Sequence, residues 1–234
     1  MLSRFFDMDN PIWRGMGKIT DLILLTLLFY LCCVPVITII PACCALFDTI
    51  SRCVKSDAPG CYSRFFKTFL QELKRGIPLT LFWLLVGAIV LCGDQILQYH
   101  AQLNTAIQIH AVLYRILFLA LLALLGWLIP LQSRYHFSFI NLHRNALYFF
   151  IARLPGTIWM LISTALIVVA CLIHPYTLIL LTIAPALISL IHAHTVEKAF
   201  QVIFPDDYVE GQLVTTPEER EAAIKIASDK KKSL

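Results

Sequence analysis

Charge is scarce in this chain. Of its 234 residues only 15% are Asp, Glu, Lys or Arg, while 59% are hydrophobic and the mean hydropathy is +0.75. A soluble domain of this size has no interior large enough to hide so much apolar surface, so the composition is that of an integral membrane protein. The nine glycines are scattered and no Gly-x-x-x-x-Gly-Lys-Ser/Thr run occurs, which excludes a phosphate-cradling loop and an intrinsic ATPase. A net charge of +4, spread along the chain, leaves no nucleic-acid footprint. The histidines form no constellation: His100, His110, His136, His143 and His174 are dispersed. His192 and His194, two apart, point about 200° apart on a helix and read as interfacial residues, not metal ligands. No metal, cofactor or catalytic set is expected. Of the eight cysteines, Cys32, Cys33, Cys43, Cys44, Cys92 and Cys171 lie in apolar runs, where they read as small packing residues and not as a disulfide frame.

What the chain does have is five long apolar runs, at 22–47, 77–97, 106–131, 157–173 and 176–192. Each of the last four has about the length of a transmembrane helix. The link "QYHAQLNTAI" carries no Lys or Arg, and the link between the fourth and fifth runs is little more than His174 and Pro175, so both read as short external turns. Arg52, Lys55, Arg64, Lys67, Lys74 and Arg75 crowd the segment 51–76, and Arg134, Arg144 and Arg153 the segment 132–156. Those segments are expected to face the cytoplasm, as is the lysine-bearing tail. The first run is too long for a signal-peptide core and no small-residue cleavage site follows it, so it is expected to stay in the mature protein.

That first run, which includes "LLFYLCCVPVITIIPACCALF", poses a problem of length. Its helical rise is about 39 Å against a hydrocarbon core of about 30 Å, too much for one crossing and too little for two. A single crossing with strict alternation puts the N-terminus outside, against the evidence of Arg4, Arg14 and Lys18. The rules agree if a helix starting at Asn10 and Pro11 runs to Val34, breaks from Pro35 to Pro41, and returns as a second helix towards Lys55. The hairpin is favoured over the single kinked span, and Thr38 is a local partner for the backbone groups it frees. The expected fold is an all-α polytopic transmembrane bundle over residues 1–204, with five long apolar segments and six helices, both termini cytoplasmic. A polar tail, 205–234, follows, with a helix start at Thr216 and Pro217.

Two basic segments are amphipathic. In "SRFFKTFLQELKRG", Phe65, Phe66, Phe69, Leu70 and Leu73 form an apolar face; in "FINLHRNALYFFIARLPG", Phe139, Ile140, His143, Leu147, Phe150, Ile151 and Leu154 form another. Either lies on headgroups or docks on a partner. Ionisable groups inside spans are few, and each is costly unless paired. Asp94 and Arg115 fall near the external ends of the second and third runs, and a structural ion pair joining the two helices is expected, with a ligand-facing arginine as the alternative. Asp48 has Arg52 at i+4, and Asp21 has Lys18 three residues before it.

As a set, "NPIWRGMGKITDLILL", "LCCVPVITIIPACCALF", "RFFKTFLQELKRG" and "PLQSRYHF" leading to "NALYFFIARLPGT" resemble the YesL-like family of bacterial polytopic membrane proteins, over residues 10 to about 157. At Ile40 and Pro41 the chain departs from the family pattern, where a glycine is common. The resemblance implies a non-enzymatic component encoded beside carbohydrate ABC importers, in a bacterial cytoplasmic membrane, with no catalytic residues to carry over. The chain lacks the acidic-Ala-Ala loop of an ABC permease, so the expected function is an accessory subunit that binds the permease subunits within the bilayer. The alternative is an autonomous sugar or small-solute transporter with a midplane site at the broken first helix, Pro35, Thr38 and Pro41. Against it stand the scarcity of intramembrane polar groups and the absence of an inverted repeat. A membrane enzyme ranks third.

Overall fold

The computed structural model describes residues 11–54, 60–101, 105–173, 181–203, 208–209 and 212–213. Among them are seven α-helices: α1 (Pro11–Cys33), α2 (Ile39–Thr49), α3 (Cys61–Ala101), α4 (Thr105–Arg134), α5 (Phe139–Ala152), α6 (Leu154–Ile173) and α7 (Ala184–Ile203). A 3-10 turn, Val36–Thr38, separates α1 from α2, and a π-helical turn, Ile50–Val54, continues α2. Strands β1 (Tyr208–Val209) and β2 (Gln212–Leu213) pair antiparallel, Tyr208 opposite Leu213. The chain divides into two compact units, residues 1–193 and 194–234. Both chain termini, the expected caps at Asn10 and Thr216, and the turn at His174 and Pro175 lie outside the described residues.

Among the described residues three helices are long and apolar enough to cross a membrane, α3 over Cys61–Tyr99, α4 over Ile109–Arg134 and α6 over Leu154–Leu172. Within the most apolar stretch of each, only 22%, 17% and 22% of the residues are buried by protein, which inverts the rule for a water-soluble helix. Leu85, Ile89, Leu113, Ile116, Ile162 and Leu166 all point outward. These faces are in contact with the lipid bilayer.

The helix α2 is the opposite. Nine of its eleven residues are buried, and it touches α1, α3 and α4. Small residues on it, Ala42, Cys44 and Ala45, let neighbouring backbones come close, as helix contacts within membranes require. One close approach is at Gly76 of α3, where a Cβ atom would sit 2.4 Å from Cγ of Pro41. Further along, Leu22 and Leu25 of α1, Ala45 and Leu46 of α2, Ile50, Cys61 and Phe65 of α3, and Ala186 of α7 make one buried cluster. Gly60 opens α3 at φ 87°, a left-handed conformation that favours glycine, and its carbonyl accepts from Arg64 N at 3.0 Å. Cys32, Cys33, Cys43, Cys44, Cys61, Cys92 and Cys171 form no disulfide.

The two amphipathic segments split differently from the expected stripes. On α3, Phe65 is fully buried and Phe69 packs on the core cluster, whereas Phe66 and Leu70 are exposed. The apolar arc is wide enough that covering one side leaves the other bare. On α5 the face packed inward is Leu142, Ala146 and Phe149, so the expected stripe of Phe139, Ile140, Leu147 and Ile151 faces outward, with Phe150 half-buried. Phe149 stacks on Trp127 of α4 at 5.4 Å between ring centroids. The Trp127 indole N–H donates to Thr157 Oγ1 of α6 at 2.8 Å, tying α4 to α6.

The Gly76 contact gives a direct test. Gly76→Ala should push α2 from α3 and destabilise the protein by about 1–3 kcal/mol, the usual penalty of overpacking. Gly87→Ala, where nothing lies within 4 Å, should leave detergent melting unchanged or slightly raised.

Candidate functional site

The charged groups that sequence spacing scatters over more than 80 residues converge at the basic end of the bundle. Asp48, 3% exposed at the end of α2, is the centre. Arg52 Nε lies 2.8 Å from its Oδ1, the expected i+4 partner. Two partners from α3 have no local signature: Arg64 Nε and the Thr68 hydroxyl both donate to Asp48 Oδ2, at 3.0 and 3.1 Å. One carboxylate thus binds the π-helical turn to the start of α3.

One turn further along α3, Glu72 is 3% exposed and accepts from Gln132 Nε2 of α4 at 3.1 Å. Arg134, at the end of α4 and also buried, lies over the Phe47 ring at 5.6 Å, a cation–π contact. Sequence reading missed Glu72, although Phe65, Phe69, Glu72 and Gly76 recur at spacings of four, three and four, the inward stripe of α3. Arg75 Nη1 contacts His136 Nδ1 at the surface of the same region. Asp21 accepts from Tyr62 of α3 at 2.7 Å, a partner 41 residues away.

At the interruption of the first apolar run, the freed backbone groups are met by protein. The Thr38 hydroxyl is shared by the carbonyls of Cys32 and Pro35, at 2.5 and 2.6 Å. Thr80 Oγ1 donates to the Gly76 carbonyl at 2.7 Å and accepts from Ile40 N, in the first turn of α2, at 3.4 Å. Pro35, having no N–H, adds no orphan donor. Polar groups here are consumed in holding the chain.

The structure brings Asp94 and Arg115 together. Arg115 Nε is 3.3 Å from Asp94 Oδ1, with Gln98 Nε2 donating to the other carboxylate oxygen. The arginine side chain is 55% exposed and the aspartate 23%, so this tie between α3 and α4 sits at a wet or headgroup edge. Arg115 and Gln98 therefore occupy both oxygens of Asp94.

An apolar cavity of about 470 Å³ lies among α1, α2, α4, α6 and α7. Its polar corner is His192, whose Nε2 is 3.1 Å from Thr164 Oγ1 and 3.2 Å from the Met160 carbonyl. His194 is exposed, so the two histidines face apart as helical geometry requires. His143 lies among Phe82, Trp83 and Phe139 and bonds the Phe139 carbonyl through Nδ1 at 2.9 Å. Among the described residues no three His, Cys, Asp or Glu side chains are placed to hold a metal ion.

Three apolar spanning helices and a buried polar brace at one end define a polytopic α-helical membrane protein. Residues 22–93, from α1 through most of α3, match the family model described as "Protein of unknown function, DUF624". No curated protein and no solved structure matches the chain.

The two acidic residues should weigh very differently. Asp48→Asn leaves two arginines facing an uncharged amide in a buried site and should cost about 3 kcal/mol, as breaking buried pairs does. Asp94→Asn, at a half-exposed pair, should cost less than about 1 kcal/mol. Detergent melting of both variants measures the difference; equal losses would deny Asp48 its central role.

Proposed function

We propose that this chain is a non-enzymatic integral membrane accessory subunit, associated with the permease subunits of a carbohydrate ABC importer in a bacterial cytoplasmic membrane. The observation that carries this reading is the two-sided apolar character of α5. Its inner face, Leu142, Ala146 and Phe149, already covers the bundle, yet Ile140, Tyr148 and Ile151 on other sides are 75%, 58% and 61% exposed. A helix that only completes its own bundle needs one apolar face; the second suits a protein partner at the basic end. Phe66 and Leu70 extend the choice of contacts on α3, whereas Phe65 is spent in the core. The carbohydrate-importer part of the proposal rests on the resemblance to the YesL-like family.

The same reading takes α1 and α2 as a broken helical hairpin that enters and returns, placing both termini in the cytoplasm, with six helices from five apolar segments. The return of Ala45, Leu46 and Ile50 to the side of Leu22 and Leu25 supports it. The autonomous carrier gains no support. Its expected site at the break is closed by Thr38 and Thr80, and the larger cavity, with Phe, Leu, Ile and Met walls, is a poor match for a polyhydroxylated solute.

Replacing Ile140 and Ile151 with serine removes the most exposed part of the outer face while leaving the inner one intact. At about 1.5–3 kcal/mol per buried side chain, a partner held there should be lost, taking co-purification of permease polypeptides and sugar uptake with it at normal membrane levels of the variant. Phe149→Ser should instead lower the melting temperature. Sugar-specific flux by the purified protein alone in liposomes, unchanged by the double substitution, would overturn the accessory role.

A further inference from the structure

Where α3, α4 and α5 meet at the basic end, Lys74 and Arg75 face Gln132 and the link that carries His136 and Ser138, and these line a cavity of about 440 Å³. No carboxylate is on its wall. Behind it the buried Glu72 is held by Gln132, leaving two permanent cations against one anion. Arg75 Nη1 also contacts His136 Nδ1 on the same wall. Ser138 is the N-cap of α5 but makes no side-chain capping bond, and the first N–H groups of this 14-residue helix open beside it. Gln132 is 5% exposed, and its Oε1 has no hydrogen-bond partner.

We propose that this cavity binds a phosphate ester. Lys74, Arg75, His136, Ser138 and the start of α5 bring positive charge and hydrogen-bond donors, the chemistry that holds a phosphate. Leu79 and Phe139 supply an apolar side for the carbon skeleton of the ester. The cavity is at the end of the apolar run of α3, the depth of lipid phosphates, so the ester is either an anionic phospholipid headgroup, with no cation of its own to repel Lys74 and Arg75, or a soluble sugar or glycerol phosphate. Neither depends on the importer association.

The test uses the full-length protein purified in detergent. Native mass spectrometry with phosphatidylglycerol against phosphatidylcholine probes the lipid source, and calorimetric titration with glycerol 1-phosphate probes the soluble one. Preferential retention of phosphatidylglycerol, saturable binding of glycerol 1-phosphate, or both, is expected from the wild type. Lys74→Gln should weaken whichever is bound at least tenfold, since a hydrogen bond to a charged group is worth about 1.5–3 kcal/mol. Arg75 also touches His136, so its variant is judged only with an unchanged melting curve; Ser138→Ala, at the cavity mouth, serves as the second variant and should weaken binding severalfold. Equal retention of the two lipids together with no titration signal overturns the proposal. So does binding that Lys74→Gln and Ser138→Ala both leave unchanged.

Discussion

A carboxylate on a helix walled in by its neighbours costs several kcal/mol unless cations and donors reach it, and the basic end of this bundle is arranged around that need at Asp48. Arg52 comes from the next turn, and Arg64 and Thr68 come from α3. Meeting the requirement pins the end of α2 to the beginning of α3. With α2 so fixed, Pro41 meets Gly76, the small residues of α2 face α3 and α4, and Cys44 Sγ comes within 3.6 Å of the Ile129 carbonyl. The buried pair Glu72 and Gln132 continues the brace to α4. Remove the charge pairing and α2, the most buried of the described helices, loses its register.

Backbone satisfaction imposes the second constraint. In an apolar medium an unpaired N–H or C=O has no water to turn to, so an interrupted helix must find partners within the protein. Thr38 and Thr80 supply them at the interruption, and both hydroxyls also serve as joints, Thr38 between α1 and α2 and Thr80 between α2 and α3. Pro78 inside α3 and Pro130 inside α4 each free the carbonyl four residues earlier, at Lys74 and Gly126, and beyond the second proline Ser133 donates to the Pro130 carbonyl at 2.9 Å. Hydroxyl residues are thus spent on chain geometry, which leaves few polar groups for a solute pathway.

The surfaces left over are consistent with a binding role. The spans offer bare aliphatic faces to lipid, α5 offers a second apolar face at the basic end, and between α3, α4 and α5 a donor-lined cavity opens. The cavity and the outer face share Phe139, so an occupied cavity and a docked partner would touch the same helix start.

From the sequence alone came the apolar runs, their basic flanks and the spacing of Asp48 with Arg52, whereas the break expected from Pro35 to Pro41 is shorter in the structure, where α2 begins at Ile39 and contains Pro41. These are local: a run of apolar residues and an i+4 pair are set by helical rise and rotation whatever surrounds them. Asp94 and Arg115 were legible as a pair because each was the lone charge of its sign near the same end of adjacent runs. Tertiary structure alone decided that α2 is interior, that Phe65 is core while Phe66 is surface, and that the expected stripe of α5 is its outer face. It also decided that Arg64, Thr68, Glu72 and Gln132 belong to one brace. An amphipathic pattern states that a helix has an apolar side but not which of several apolar sides is covered, because that depends on neighbours far away in the chain. Where every exposed position is also apolar, as in a membrane, the pattern carries still less of that information, and packing makes the choice.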